Sequence, residues 1–387
     1  AIPRVGIPSI MMADGPHGLR KQVDSLDQLG LTGCVAATCF PTAVTLASSW
    51  DRNLLASVGR AIAEEARAEG VSVVLGPGIN IKRSPLCGRN FEYFSEDPFL
   101  TGQLAAAWID GLQSLGVGAS LKHFAANNQE SYRLVNNSVV DIRTLHEVYL
   151  AAFETAVKLS RPWTVMSSYN RLKGPYVGES AWLLGAELRG SWGFDGVVVS
   201  DWGAVNDRPA GVSAGLDLEM PGNRGQSLPL LRRALSAGTL EMADVDASVA
   251  RIIKLVHRAG LATNVVGAGW QDRHHALACT AAEQSAVLLV NKHEALPLST
   301  DDRVLVVGPF AKTPRYQGTG SSRITPTRVD SAYDHLCTLA GTRLPYAEGF
   351  SIESHAGTAS DARHEADSLI ATAVAGAADA DAVVRSE

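Results

Sequence analysis

Six short apolar runs in this chain each stop abruptly at charged, aromatic or amide side chains. The clearest is Gly196-Val-Val-Val-Ser-Asp201-Trp202. Three consecutive β-branched residues suit an enclosed strand. A carboxylate placed directly after them is costly to bury unless it is paired or faces a cleft. Taken alone, Asp201 also suits the cap of a following helix. The same pattern recurs in Ser9–Asp14, Val71–Pro77, Gly118–His123, Trp163–Asn170 and Leu216–Pro221.

Helix-period segments separate these runs. Asn53–Glu69 ends at Gly70 and Thr101–Leu115 ends at Gly116, both plausible helix stops. Thr144–Leu159 and Asp244–Arg258 carry apolar residues at spacings of three and four, which predicts amphipathic helices. Strands alternating with helices of this size predict a parallel sheet with right-handed crossovers. A closed (β/α) barrel of the TIM type fits residues 1–260, because its active site lies at the C-terminal strand ends, where all six runs place their polar residues. The alternative is an open doubly wound sheet, which calls for a glycine-rich phosphate loop after the first strand. Gly76-Pro-Gly78 is too short for one and is interrupted by proline.

Texture changes near residue 261. Residues 261–278 are expected as a linker and 279–387 as part of a second α/β sandwich domain, left incomplete at the chain end. Within it, Thr280–Val290 reads as a helix running towards a strand at Leu288-Leu-Val290, Arg303–Gly308 as a strand, Gly318–Arg323 as a polar glycine-rich loop, and Ala362–Ala377 as a helix leading to a strand at Ala382–Val384.

Composition narrows the function classes. A net charge of −6 with scattered lysines and arginines argues against a nucleic-acid or anionic-membrane partner. No apolar run approaches the roughly 20 residues of a membrane span. The first residues lack the layout of a secretory signal, which suggests a cytoplasmic protein or a start that lies elsewhere. Five cysteines without Cys-x-x-Cys, and ten histidines without His-Glu-x-x-His, predict no disulfide framework, no metal and no cofactor. Oligomeric state is not legible.

Seven blocks, in order, resemble glycoside hydrolase family 3 of the β-glucosidase type. They are Ala13-Asp-Gly-Pro-His-Gly-Leu-Arg20; Cys39-Phe-Pro41 with Ala47–Asp51; Leu86–Pro98; Lys122-His-Phe124; Met166–Asn170; Trp192–Trp202; and Gly215–Pro221. The resemblance implies a retaining hydrolase that releases terminal non-reducing β-D-glucosyl residues from small-molecule or oligosaccharide β-glucosides. Asp201 is implied as the nucleophile, forming a covalent glycosyl intermediate. Asp14, Arg89, Lys122, His123, Tyr169 and Trp202 are implied as the sugar-binding shell. Each also has a structural reading: Asp14 suits a turn, Arg89 an internal ion pair with Glu92, Glu96 or Asp97, Lys122-His123 a strand end, and Trp202 a core. Glu92, Glu96 and Asp97 are read as structural, with Glu219 as possible support for the shell.

The residues after Phe124 are Ala-Ala-Asn-Asn rather than the Pro-Gly-His-Gly of the family's β-N-acetylglucosaminidase branch. This favours the branch whose acid/base comes from the second domain. Ser386-Glu387 resembles the start of that loop, but a terminal glutamate is poorly held for proton transfer. If these residues act alone, natural glucosides are expected to turn over weakly and dinitrophenyl glucosides much better. The competing readings are a β-xylosidase or α-arabinofuranosidase, and a catalytically weak sugar-binding member.

Overall fold

The computed structural model describes residues 2–23, 33–260, 269–352 and 359–386. The chain forms two compact units. The first holds residues 1–286 together with 317–327, and the second holds 287–316 and 328–387.

Five of the six apolar runs form strands in the first unit: β1 (Met12–Asp14), β2 (Val73–Leu75), β3 (Gly118–Phe124), β4 (Thr164–Ser167) and β5 (Val197–Ser200). They pair in parallel and in chain order, each beside the next. A doubly wound sheet reverses its order part-way; this one does not. The sixth run contributes a single parallel bridge, from Leu218 to Val199 of β5. Among the described residues no ladder joins this edge back to β1, so the sheet is a parallel half-barrel and not the closed ring expected.

The burial of the strands explains their composition. β2, β3, β4 and β5 are buried at every position, as a parallel sheet covered on both faces requires. Helix α1 (Arg52–Ala68) starts where the Asp51 carboxylate accepts from the backbone N–H groups of Asn53 and Leu54. Helix α2 (Pro98–Gln113) starts three residues earlier than its periodicity predicts, because Asp97 caps it in the same way and Pro98 fills the first turn. These two helices approach backbone to backbone. A Cβ on Gly59 would meet the Trp108 carbonyl oxygen at 2.2 Å, and one on Gly111 would meet the Ala56 carbonyl oxygen at 2.0 Å. Only glycine permits that crossing. The segment expected as one helix from Thr144 begins as a wider π-type turn, Leu145–Leu150, and continues as α3 (Ala151–Ser160).

The boundary region differs from expectation. Residues 261–268 lie outside the described residues, but most of the remaining expected linker is helical: α4 spans Trp270–Gln284 and belongs to the first unit. Its His274 is buried between the carboxylates of Glu65 (Nδ1 to Oε1, 2.7 Å) and Glu64 (Nε2 to Oε2, 3.2 Å) on α1. The segment 317–327 also joins the first unit, where Thr325–Pro326 pairs in parallel with Ala36–Ala37. In the second unit, β6 (Val304–Val307) lies between β7 (Tyr346–Ala347) and β8 (Ala382–Arg385), all parallel. The alanine-rich helix runs from Ala359 to Ala378. The strand expected at Leu288–Val290 is not formed, and those residues are exposed.

Candidate active site

A cavity of about 690 Å³ opens at the C-terminal ends of β1–β5. It falls in the range of roughly 300–1,000 Å³ typical of small-molecule sites. Each of its strand-end residues is placed by the sheet. Asp14 ends β1, Lys122 and His123 lie just before the last residue of β3, and Asp201 follows Ser200 of β5. All six residues expected around Asp201 line this cavity with it: Asp14, Arg89, Lys122, His123, Tyr169 and Trp202.

Asp201 sits on the floor, 8% exposed. Its Oδ1 accepts from the Trp202 backbone N–H at 2.7 Å, and its Oδ2 lies 3.7 Å from His123 Nε2. One oxygen is therefore tied down and the other is turned towards the imidazole. The Tyr169 hydroxyl donates to the Trp202 carbonyl at 3.0 Å. Burial, and next the charge of Asp201, push that hydroxyl's pKa up, so it stays protonated. The Arg133 guanidinium stacks 4.3 Å from the centre of the Tyr169 ring. Trp202 is 36% exposed, with part of its indole lining the cavity. The core placement that a lone tryptophan usually takes is not adopted.

On the opposite wall, Asp14 Oδ1 lies 3.5 Å from Lys122 Nζ, and its Oδ2 lies 3.8 Å from Arg20 Nη1. Burial raises the Asp14 pKa despite these two cations, and the nearby Asp201 and Glu92 carboxylates add to the rise. Arg89 forms a close ion pair with Glu92 while also lining the cavity, so its two readings hold together. Burial acts to raise the Glu92 pKa, but Arg89 and Lys122 hold it below its ordinary value. Glu92 was expected to be structural only; it lines the cavity as well. Asp97 is the cap of α2. Glu219 accepts from Asn223 and Ser227 (2.9 and 2.8 Å) and is not among the cavity-lining residues.

Arg20, Glu130, Arg133, Met166 and Thr319–Ser321 also line the cavity. Arg20 lies inside a quoted block, six residues from Asp14, and the antiparallel bridge between the two is what turns it back to the site. Arg133 carried no local signal, since it lies on a loop without periodicity. Glu387 lies outside the described residues.

His17, fully buried beside this wall, meets the ring of Phe91 edge-on at 6.3 Å. Burial lowers its pKa to about 4; Lys122 lowers it further, against the pull of Glu92. An unfolded histidine takes its proton near pH 6.5. Between pH 6.5 and 4 the unfolded chain therefore binds a proton that the folded chain refuses, and stability falls as pH drops through that window. The full difference is about 3 kcal/mol, at roughly 1.4 kcal/mol per pKa unit. His17→Leu should flatten this part of the curve of melting temperature against pH. Parallel acid limbs for wild type and variant would exclude His17 as the cause.

Comparison with known proteins fits this geometry. The family model described as "Glycosyl hydrolase family 3 N terminal domain" matches residues 3–255, and "Glycosyl hydrolase family 3 C-terminal domain" matches residues 286–385. The chain belongs to glycosyl hydrolase family 3. It is 52% identical over 356 residues to a protein named "Thermostable beta-glucosidase B" from Acetivibrio thermocellus, covering 91% of this chain and 47% of that protein. It is 46% identical over 359 residues to an "Exo-alpha-(1->6)-L-arabinopyranosidase" from Bifidobacterium longum, covering 90% and 47%. Among solved structures, a family 3 β-glucosidase from Bifidobacterium adolescentis superposes with a TM-score of 0.87 at 42% identity, covering 100% of this chain and 54% of that one. β-Glucosidase 3B from Thermotoga neapolitana, in complex with α-D-glucose, gives 0.81 at 38% identity, covering 96% and 50%. The chain thus spans about half the length of the relatives it matches. No helix among the described residues is long and apolar enough to cross a membrane.

Proposed function

We propose that this family 3 chain carries the glycosyl-binding and nucleophilic half of a retaining β-glucosidase, acting on terminal non-reducing β-D-glucosyl residues. One observation carries the reading: the Asp201 carboxylate lies on a cavity floor with one oxygen held by a backbone N–H and the other without a hydrogen-bond partner, 3.7 Å from the His123 imidazole. Such a carboxylate can attack an anomeric carbon and leave a glycosyl ester. The surrounding shell suits a sugar. Lys122, Arg89, Arg20 and His123 are donors, Asp14 is an acceptor, and Trp202 and Met166 offer apolar surface to a ring face.

Retention also needs a second carboxyl group, about 5–5.5 Å from the first, to protonate the leaving oxygen. Asp14, Glu92 and Glu130 each lie beside a cation, at Lys122, Arg89 and Arg133, so none of the three is assigned that role. The arabinopyranosidase relative supports a second reading, in which the same shell accepts a pentopyranose.

Incubation with 2,4-dinitrophenyl 2-deoxy-2-fluoro-β-D-glucoside tests the first reading, because this leaving group needs no protonation. A fluoroglucosyl mass should appear on the peptide that contains Asp201. A label on any other carboxylate overturns the assignment. Relative rates on nitrophenyl β-glucoside and α-L-arabinopyranoside decide between the sugars.

A further inference from the structure

Behind His123 lies a hydrogen-bond chain that the proposed chemistry does not use. The His123 Nδ1 is 3.1 Å from the Tyr93 hydroxyl, and both residues are buried. The Tyr93 oxygen in turn lies 3.4 Å from Asn127 Nδ2, which also lies 3.3 Å from the Glu130 carboxylate. A carboxylate can only accept, so the amide nitrogen of Asn127 is the group that faces Glu130 and Tyr93. Tyr93 therefore accepts from Asn127, and its own proton is free to point at His123 Nδ1. An imidazole that accepts at Nδ1 carries its proton on Nε2. The backbone of His123 is clamped as well: Asn80 accepts from its N–H and donates to its carbonyl, both at 2.9 Å. The Tyr93 and His123 rings meet edge-on at 6.0 Å.

We propose that Tyr93 and Asn127 are positioning residues that hold His123 as its Nε2–H tautomer, so that it presents a donor and never a lone pair to Asp201 Oδ2. Every donor in the chain Asn127, Tyr93, His123 then points towards the carboxylate. Reversed polarity would set an imidazole lone pair against the carboxylate at 3.7 Å. Burial, reinforced by Arg89, Lys122 and Arg133, holds the His123 pKa well below the ordinary value. The ring is therefore neutral at physiological pH, and its tautomer is what matters. The consequence for turnover rests on Asp201 as nucleophile; the tautomer itself does not.

Nitrogen-15 NMR of histidine-labelled chain tests the idea, with the His123 signals identified by their loss in His123→Gln. Wild type should show Nε2 protonated and Nδ1 as a hydrogen-bonded imine nitrogen. Asn127→Asp places an acceptor opposite Tyr93, draws the phenolic proton away, and should move a proton onto Nδ1. Turnover of dinitrophenyl β-glucoside should then fall by about 10-fold, since at 3.7 Å the two groups are beyond hydrogen-bond reach and the change reverses a charge–dipole interaction. Nδ1–H in wild type, or an unchanged protonation pattern in a folded Asn127→Asp variant, overturns the proposal. Should that variant not fold, Tyr93→Phe serves: its Nδ1 signal should shift to that of an unbonded imine, and an unmoved signal is equally fatal. Failure of the fluoroglucoside to label Asp201 leaves the NMR result standing, so the two readings fail separately.

Discussion

Asp201→Ala lowers kcat on dinitrophenyl β-glucoside by at least about ten-thousand-fold, the scale seen when a residue central to a covalent mechanism is removed. The other carboxylates that line the cavity each face a cation: Asp14 lies between Lys122 and Arg20, Glu92 is paired with Arg89, and Glu130 with Arg133. The fold should survive the change, because the one hydrogen bond lost to Asp201 Oδ1 is a local one from Trp202. Added azide should restore turnover and give a glucosyl azide of inverted anomeric configuration, since a small anion then occupies the space of the missing carboxylate. A variant that keeps more than about one percent of wild-type kcat, far above the loss scale of such residues, would remove Asp201 from the mechanism.

Asp217→Ala should produce a large loss of stability without touching the cavity. Asp217 is buried, and its Oδ2 accepts from Arg189 Nη2 and from the Val198 backbone N–H, both at 2.8 Å. Its Oδ1 accepts from Arg251 Nε at 2.9 Å. One carboxylate thus ties β5 to the segments that carry Arg189 and Arg251. Burial lowers the Arg189 pKa, with Asp217 opposing that effect; without Asp217, Arg189 loses the partner that offsets its desolvation. Breaking a buried pair from one side costs about 3–5 kcal/mol. At roughly 2–4 °C per kcal/mol for a unit of this size, the melting temperature should drop by roughly 6–20 °C. Asp217→Asn, which keeps part of the hydrogen bonding, should fall between. Thermal unfolding followed by circular dichroism reads both, and a drop below about 2 °C, under one kcal/mol on that scale, would show that the arginines find other partners.

Much of the candidate site was legible because its residues end apolar runs. In a parallel sheet, every strand that runs in the same direction delivers its terminal residue to the same edge. Asp14, Lys122, His123 and Asp201 could therefore be gathered into one cleft from their positions alone. Arg20, Glu130, Arg133 and Thr319–Ser321 lie on loops, where no periodicity indicates direction. The strand expected at Leu288–Val290 failed for a related reason. A short apolar run is compatible with a strand only if a neighbour pairs with it, and among the described residues none does. Helix α4 was expected only from Thr280 and starts ten residues earlier, at Trp270, because small polar residues and histidines conceal its periodicity. What seats it is His274 between Glu64 and Glu65, some 210 positions away in the chain.

Local pattern sufficed for the five strands of the first unit's sheet, their order, and the helices over Arg52–Ala68, Pro98–Gln113 and Met242–Gly260. β-branched runs make strands, three-and-four spacing makes helices, and alternation of the two makes the sheet parallel. Pairing between distant residues was decided only by the tertiary structure. It set Lys122 against Asp14, Tyr93 behind His123 and Asp217 between two arginines, and it placed segment 317–327 in the first unit. The physical reason is range. Periodicity reports the environment of a residue within a turn or two, whereas a buried charge or hydroxyl finds its partner wherever packing has brought one within about 3 Å.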